Sequence, residues 1–362
     1  METLFSISGM TKKKAKVFVA MSGGVDSSVA AALLKKGGFD MVGIYMKCWN
    51  ADDPLYRGCT SVDDERSARL AAAHLGIPFY TWNFIKEYRE RVVEYLLEGY
   101  QKGITPNPDV ACNKEIKFGL FFEKAMILGA DFVATGHYAR VEHTDGRMSI
   151  LAGKDKNKDQ SYFLSFVKPE VLSRVLFPVG DHTKEEVRTM ARKFGLPNAE
   201  RKSSQGICFV GKVDFRKFLM RYIPSQTGDI VDISGNTLGK HEGVFYYTIG
   251  QRKGIRLSGG PYYVIGKDME QNLLVVSKDE KDLYKKEVKV RDINWFVSPS
   301  ERSFGNVAAR IRYRQPFARS TLHIDSGDKV CIIFEAPQRA ITPGQIAVIY
   351  RGDQLLGAGV IE

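Results

Sequence analysis

Cysteine is scarce in this chain and poorly spaced for the structures it usually builds. Cys48, Cys59, Cys112, Cys208 and Cys331 form an odd set of five with no Cys-x-x-Cys pair. That excludes a secreted disulfide framework and zinc-ribbon or iron–sulfur spacing, so no metal centre is expected and any special cysteine is a reactive thiol. No run of eighteen apolar residues occurs, so no membrane partner is expected. The first sixteen residues carry Lys12, Lys13, Lys14 and Lys16 with no apolar signal core behind them, and a soluble cytoplasmic protein is expected. Internal repeats and low-complexity segments are missing too.

Acidic residues are outnumbered. Against 53 Lys and Arg there are 42 Asp and Glu, and the formal charge of +11 suits a polyanionic partner, nucleic acid first. A chain of 362 residues, 44% of them hydrophobic, has core enough for two or three domains. A complete Walker A loop is also lacking. Gly206 to Lys212 has the Gly-x4-Gly-Lys spacing, but Val213 stands where a magnesium-binding hydroxyl belongs, and Ile207-Cys208-Phe209-Val210 fills the part that should expose backbone N–H groups.

What is present organises around Val17-Phe18-Val19-Ala20-Met21 followed by Ser22-Gly23-Gly24-Val25-Asp26-Ser27-Ser28. The apolar β-branched run reads as a buried parallel strand, and the alanine-rich segment from Val29 to Leu34 as the helix after it. Gly23 and Gly24 allow positive φ and close ligand approach; Ser22, Ser27 and Ser28 add hydroxyl donors. The new helix aims free N–H groups and the positive end of its dipole at the same point. Such a turn is a phosphate cradle, with capacity for about four phosphate oxygens.

Strands and helices alternate from Val17 to about Thr135, with Met41–Met46, Ile77–Trp82 and Asp131–Thr135 as further strands, and Val62–Leu75 and Tyr88–Tyr100 as helices. This predicts a mostly parallel α/β sheet whose ligands gather at the carboxyl ends of the strands, where the Ser22 loop, Met46 and Gly136-His137 lie. After about Ile207 short β-rich runs take over. Asp229–Ile233 and Thr237-Leu238 flank Ser234-Gly235-Asn236, and Tyr262–Ile265 pairs with Leu273–Val276, both as hairpins. Further strands start near Val288 and include Val307–Tyr313, Lys329–Phe334, Ile346–Tyr350 and Leu355–Val360, a pattern of a barrel or sandwich. The expected domains are 1–207, 208–280 and 281–362, the last a β-barrel.

A second stretch bears on chemistry: Thr105-Pro106-Asn107-Pro108-Asp109-Val110-Ala111-Cys112-Asn113-Lys114. Asn107 can cap a helix and Pro108 suits its first position, so Asp109 and Cys112 fall at i and i+3 on one face. The helix start favours thiolate, while the carboxylate disfavours it but can take the thiol proton. These residues fit either a nucleophile with a proton acceptor or a capping Asp beside a buried Cys.

The Ser22–Ser28 string resembles the pyrophosphate loop of ATP pyrophosphatases, which cleave ATP between the α- and β-phosphates. Asn107-Pro108-Asp109-x-x-Cys112-Asn113-Lys114-x-Ile116-Lys117-Phe118, Gly136-His137-Tyr138, Lys158–Leu164, Ser204–Phe209 and Thr342-Pro343-Gly344-Gln345 follow in the order found in the bacterial tRNA-specific 2-thiouridylases. The chain therefore resembles that family over nearly its whole length. The resemblance implies a pyrophosphatase-type α/β catalytic domain, two small β domains, and 2-thiolation of a wobble uridine of tRNA: ATP adenylates the uracil C2 oxygen, and persulfide sulfur replaces it.

It further implies that Ala20, Met21, Ser22, Gly23, Gly24, Val25, Asp26, Ser27, Met46 and Gly136 contact ATP, with Mg2+ as the nucleotide's counter-ion. Asn107, Pro108 and Asp109 face the target base, Cys112 is the nucleophile, and Cys208 carries the persulfide, with a transient Cys112–Cys208 disulfide. His137, Lys158, Asp159, Gln160, Arg312, Tyr313 and Gln345 touch tRNA, and a cysteine desulfurase or sulfur-relay protein supplies sulfur. Ala20 stands where glycine is expected, which a negative φ tolerates. Cys48 and Cys59 are expected to be structural. The rival is another ATP-dependent ligase or amidotransferase with the same loop, acting on RNA or a small molecule and needing no cysteine pair.

An RNA surface is expected independently. Between Lys281 and Arg319 there are ten Lys or Arg against four Asp or Glu, interleaved with aromatics. A strand through Arg310-Ile311-Arg312-Tyr313-Arg314 would place three arginines on one face about 7 Å apart, near phosphate spacing. Lys154, Lys156 and Lys158 read as a loop that orders on RNA.

Overall fold

The first apolar run forms strand β1 (Lys16–Ala20), buried from Val17 to Ala20. The computed structural model describes residues 15–50, 61–144, 147–202, 215–297, 303–324 and 329–362. The chain divides into two compact units: residues 1–92, 109–213 and 353–355, and residues 93–108, 214–352 and 356–362.

In the first unit β1 leads through the glycine turn into helix α1 (Val25–Lys36), then β2 (Asp40–Lys47), α2 (Ser61–Leu75), β3 (Phe79–Asn83) and β4 (Phe132–Ala134). A hairpin of β5 (Ala139–Thr144) and β6 (Arg147–Ala152), the short β7 (Val175–Leu176) and the helix Lys184–Lys193 also belong to it. Among the described residues its sheet has the order β3-β2-β1-β4-β7, all neighbours parallel. The strand after β1 lies on one side of it and β4 on the other, so the winding reverses at β1. In open α/β sheets such a reversal is where ligands bind, here at the carboxyl ends of β1 and β4.

Helix α1 has Asp26 in its first turn and Lys35 and Lys36 in its last, as the helix dipole favours. Val25 and every residue from Ser27 to Leu34 are buried. Its core cluster includes Ala68, Ala71 and Ala72 of α2 and Val187 and Ala191 of Lys184–Lys193, small residues that let helices pack closely. Truncating fully buried Leu34 to alanine would cost about 2–5 kcal/mol.

In the second unit β8 (Gly228–Val231) pairs antiparallel with β9 (Thr237–His241), and β10 (Tyr263–Asp268) with β11 (Leu273–Ser277). Both expected hairpins form, and β11 runs parallel to β8 to join them. The strands β12 (Tyr284–Trp295), β13 (Ser303–Arg310), β14 (Ala318–Ile324), β15 (Val330–Arg339), β16 (Ile346–Arg351) and β17 (Gln354–Ile361) follow. Among the described residues their order β12-β15-β14-β13-β16-β17 closes through β12–β17 pairing, giving a closed six-stranded barrel. Alternate residues such as Val288, Val290, Leu322, Ile332 and Phe334 fill its interior.

Three expectations are corrected here. The strand expected to run to Tyr313 ends at Arg310, because Arg314 has φ +64 and Gln315 N–H donates to Arg312 O at 3.2 Å, a turn. The three arginines therefore share no face. Arg310 is buried with its guanidinium 3.9 Å from the Phe317 ring centroid; one Arg312 Nη2 donates to Ala340 O at 2.8 Å and Thr342 Oγ1 at 3.2 Å; Arg314 lies over Tyr313 at 5.2 Å. Second, the Lys154–Lys158 segment has partners within the chain: Lys158 N–H donates to Asp155 O at 3.0 Å, Lys154 Nζ meets Glu186 at 3.1 Å, and Lys156 Nζ meets Asp353 at 2.6 Å. Third, β14 and the β5–β6 hairpin were not anticipated.

Candidate active site

The glycine turn sits at the sheet's switch point, and its backbone is fixed from behind. Gly23 has φ +78, and a Cβ there would come within 2.2 Å of Asp64 O. Its carbonyl accepts from Ser67 Oγ at 2.8 Å, Asn198 Nδ2 at 2.9 Å and Arg201 Nη1 at 3.1 Å, and Arg201 also pairs with Asp64. Three donors on one carbonyl hold the turn in a single shape. Gly24 differs from expectation: at φ −79 and ψ 161 it is an ordinary N-cap, and a Cβ there would meet only Ser22 Oγ at 3.4 Å. Glycine at that position leaves open space over the start of α1.

The serines also divide. Ser28 is buried, gives its hydroxyl to Gly24 O at 3.1 Å and accepts from Asn198 at 3.0 Å, so its place is in the scaffold and not among ligand donors. Ser27 donates to Gly24 O at 3.1 Å, while exposed Ser22 lies with its Oγ 3.3 Å from Ser27 Oγ. Ala20 closes β1 and Met21 is buried behind the turn; no positive φ falls on Ala20. Met46 is buried near the carboxyl end of β2. Gly136, just past β4, lies so close to α1 that a Cβ would fall 2.6 Å from Ser27 N.

Asp26 is the hub of the site. Its Oδ1 accepts from Tyr138 Oη at 2.9 Å and from Lys184 Nζ at 2.5 Å. Burial, reinforced by the Asp26 carboxylate, pushes the Tyr138 phenol far up, so it stays a proton donor. Tyr138 is in turn clasped by Gln160, which donates its N–H to Tyr138 O at 2.8 Å and accepts Tyr138 N–H on Oε1 at 3.0 Å. Neither Tyr138 nor Lys184 had been given a role from the sequence. Tyr138 stands next to His137 in a recognised motif, but Lys184 is far away in the chain and carries no local signal.

His137 is buried between the rings of Phe118 and Phe177, with Nδ1 2.7 Å from Thr135 Oγ1. Burial, with Lys117 nearby, holds its pKa well below the usual histidine value, so it is a neutral imidazole at pH 7. Lys158 is half-buried, and buried Asp159 spends Oδ1 on Gly153 N–H at 2.9 Å and Ser161 N–H at 3.1 Å.

The expected thiol helix is present as Pro108–Cys112 and widens into π-helical turns over Asn113–Leu120. Such widened turns are frequent at functional sites. Cys112 is fully buried, Asn107 is buried, and Pro108 and Asp109 are half-buried. Asn113 Nδ2 donates to Asp109 O at 2.8 Å. Cys208, the rest of its motif and Cys59 lie outside the described residues. In the second unit Gln345 Nε2 donates to Thr105 O at 2.7 Å, and Thr105 N–H donates to Pro343 O at 2.8 Å. The Thr342–Gln345 turn therefore braces the entry to Asn107. Arg312 and Tyr313 lie in the turn after β13.

Family models match the chain as a tRNA methyl transferase HUP domain over residues 15–212, a tRNA methyl transferase PRC-barrel domain over 216–278 and an aminomethyltransferase beta-barrel domain over 285–361. The tRNA-specific 2-thiouridylase MnmA of Halalkalibacterium halodurans is 47% identical, covering 97% of this chain and 95% of its own. That of Streptococcus mutans is 46% identical, covering 96% and 95%. Among solved structures, an NMN synthetase from Francisella tularensis aligns at TM-score 0.34 and 17% identity, covering 56% of this chain and 71% of its own. Among the described residues no helix is long and apolar enough to cross a membrane, and no three His, Cys, Asp or Glu cluster as a metal site.

Proposed function

The chain belongs to the tRNA-specific 2-thiouridylase family, and from that we propose that it is an ATP-dependent tRNA sulfurtransferase making 2-thiouridine at the wobble position. The observation that carries this is the Ser22–Ser28 turn at the switch point of the sheet, its Gly23 carbonyl drawn away by three donors and the start of α1 left open. An open helix start of this kind receives phosphates.

The uracil C2 oxygen is a poor leaving group. Its attack on the α-phosphorus of ATP breaks the α–β bond, releases pyrophosphate and makes AMP the leaving group. Sulfur then displaces AMP. Cys208 carries that sulfur as a persulfide received from a cysteine desulfurase or relay protein, and Cys112 resolves the S–S bond by thiol exchange, leaving a Cys112–Cys208 disulfide. Asp109 positions the base or takes a proton, with Asn107 and Pro108 beside it. Mg2+ would arrive on the nucleotide and neutralise phosphate charge.

The matched models carry the words methyl transferase, and a methyl donor with a cationic sulfonium is the second reading. A helix start and a lysine around Asp26 are electrostatically wrong for it. Nucleoside analysis of tRNA from cells lacking the protein separates the two. Loss of 2-thiouridine alone is expected; loss of a methylated nucleoside with 2-thiouridine intact would overturn the proposal.

A further inference from the structure

Lys184 is a lysine at the electrostatically unfavourable end of a helix. It is the first residue of Lys184–Lys193, where the dipole disfavours a cation, and its ammonium reaches Asp26 in the first turn of α1, a second helix start. The side chain is only 14% exposed. Its backbone is locked, because Thr183 and Glu186 form a reciprocal capping box and Lys184 N–H donates to Asp155 Oδ2 at 3.0 Å. Only the flexible stem is left to move.

Among the described residues the ion pair of this ammonium is with Asp26, and that carboxylate has a second, neutral donor on the same oxygen, Tyr138 Oη at 2.9 Å. Tyr138 is held by Gln160, so Asp26 keeps a hydrogen bond if the lysine departs. A cation stored beside an open, positively polarised helix start is matched to an incoming polyanion. We propose that Lys184 is a phosphate ligand of the nucleotide site. Its ammonium leaves Asp26 for the β- and γ-phosphate oxygens of ATP and remains on the pyrophosphate as the α–β bond breaks. This rests on the ATP-cleaving reading above.

The test uses the full-length protein and inorganic pyrophosphate as probe, read by titration calorimetry, together with tRNA-dependent pyrophosphate release from ATP. Lys184→Met should weaken pyrophosphate binding about tenfold or more, the scale of one charge-assisted contact, and lower kcat for release, with tRNA affinity unchanged. Lys184→Arg should retain most of the binding. Combining Lys184→Met with Asp26→Asn removes both charges, so no carboxylate is stranded. If Lys184→Met alone fails to fold, this pair decides, and it should remain weak. Wild-type pyrophosphate affinity in Lys184→Met, or its recovery in the double variant, would show that the lysine only neutralises Asp26 and overturn the proposal. A wild-type protein that released no pyrophosphate would instead overturn the adenylation reading, while the binding comparison would still judge Lys184.

Discussion

Gly23 and Gly24 are neighbours in the sequence and opposites in the fold. Only Gly23 has positive φ, and only there would a Cβ strike backbone, at Asp64 O. Gly23→Ala should therefore destabilise the protein by about 1–3 kcal/mol and abolish ATP binding, whereas Gly24→Ala should hold stability within about 1 kcal/mol, as urea unfolding of the two would show. The sequence announced a glycine turn; which glycine needed its freedom depends on Asp64 and Arg201, which the turn's own residues do not reveal. His137 offers a pH test. Its native pKa lies well below the usual value because it is buried, so below about pH 6.5 the unfolded chain binds a proton that the folded one refuses. Folding stability is then lost as pH falls through 6.5, at up to about 1.4 kcal/mol per unit. His137→Gln should flatten that fall between pH 6.5 and 5 relative to wild type, and an unchanged slope would mean that the imidazole charges in place.

Elements were legible where period and turn chemistry agreed. β1, α1 and α2, both hairpins of the central sheet and the helix start at Pro108 carry their own signals. The β5–β6 hairpin has one in the sequence as well, Asp145-Gly146 between alternating residues, a strong hairpin dipeptide. β14 is harder: its inward residues include Ser320 with Leu322, and a buried serine breaks the apolar alternation. The arginine run after β13 misled because period-two spacing has meaning only while the strand continues. Arg310→Ala should now act on stability, lowering the melting temperature by uncovering Phe317 and Tyr350, with little change in the salt dependence of tRNA binding. Arg314→Ala should leave melting unchanged. If its guanidinium meets a phosphate, the variant should also reduce the slope of log affinity against log salt by about one or somewhat less.

At the scale of the whole molecule, the α/β unit followed by β domains, the excess of basic residues and the order of the motifs all pointed one way in the sequence. The linkage from Gln160 through Tyr138 and Asp26 to Lys184 did not, because it joins residues far apart in the chain through backbone and side-chain contacts that only the fold creates. Cleavage of ATP at the α–β bond is expected to place sulfur on tRNA. The most direct measurement is a product count. Purified protein is given ATP, a tRNA transcript with a wobble uridine, and a cysteine desulfurase with cysteine; nucleotides and digested nucleosides are then quantified together. One AMP and one pyrophosphate for each 2-thiouridine is the predicted result. ADP and phosphate as the nucleotide products, or a modified nucleoside without sulfur, would contradict it.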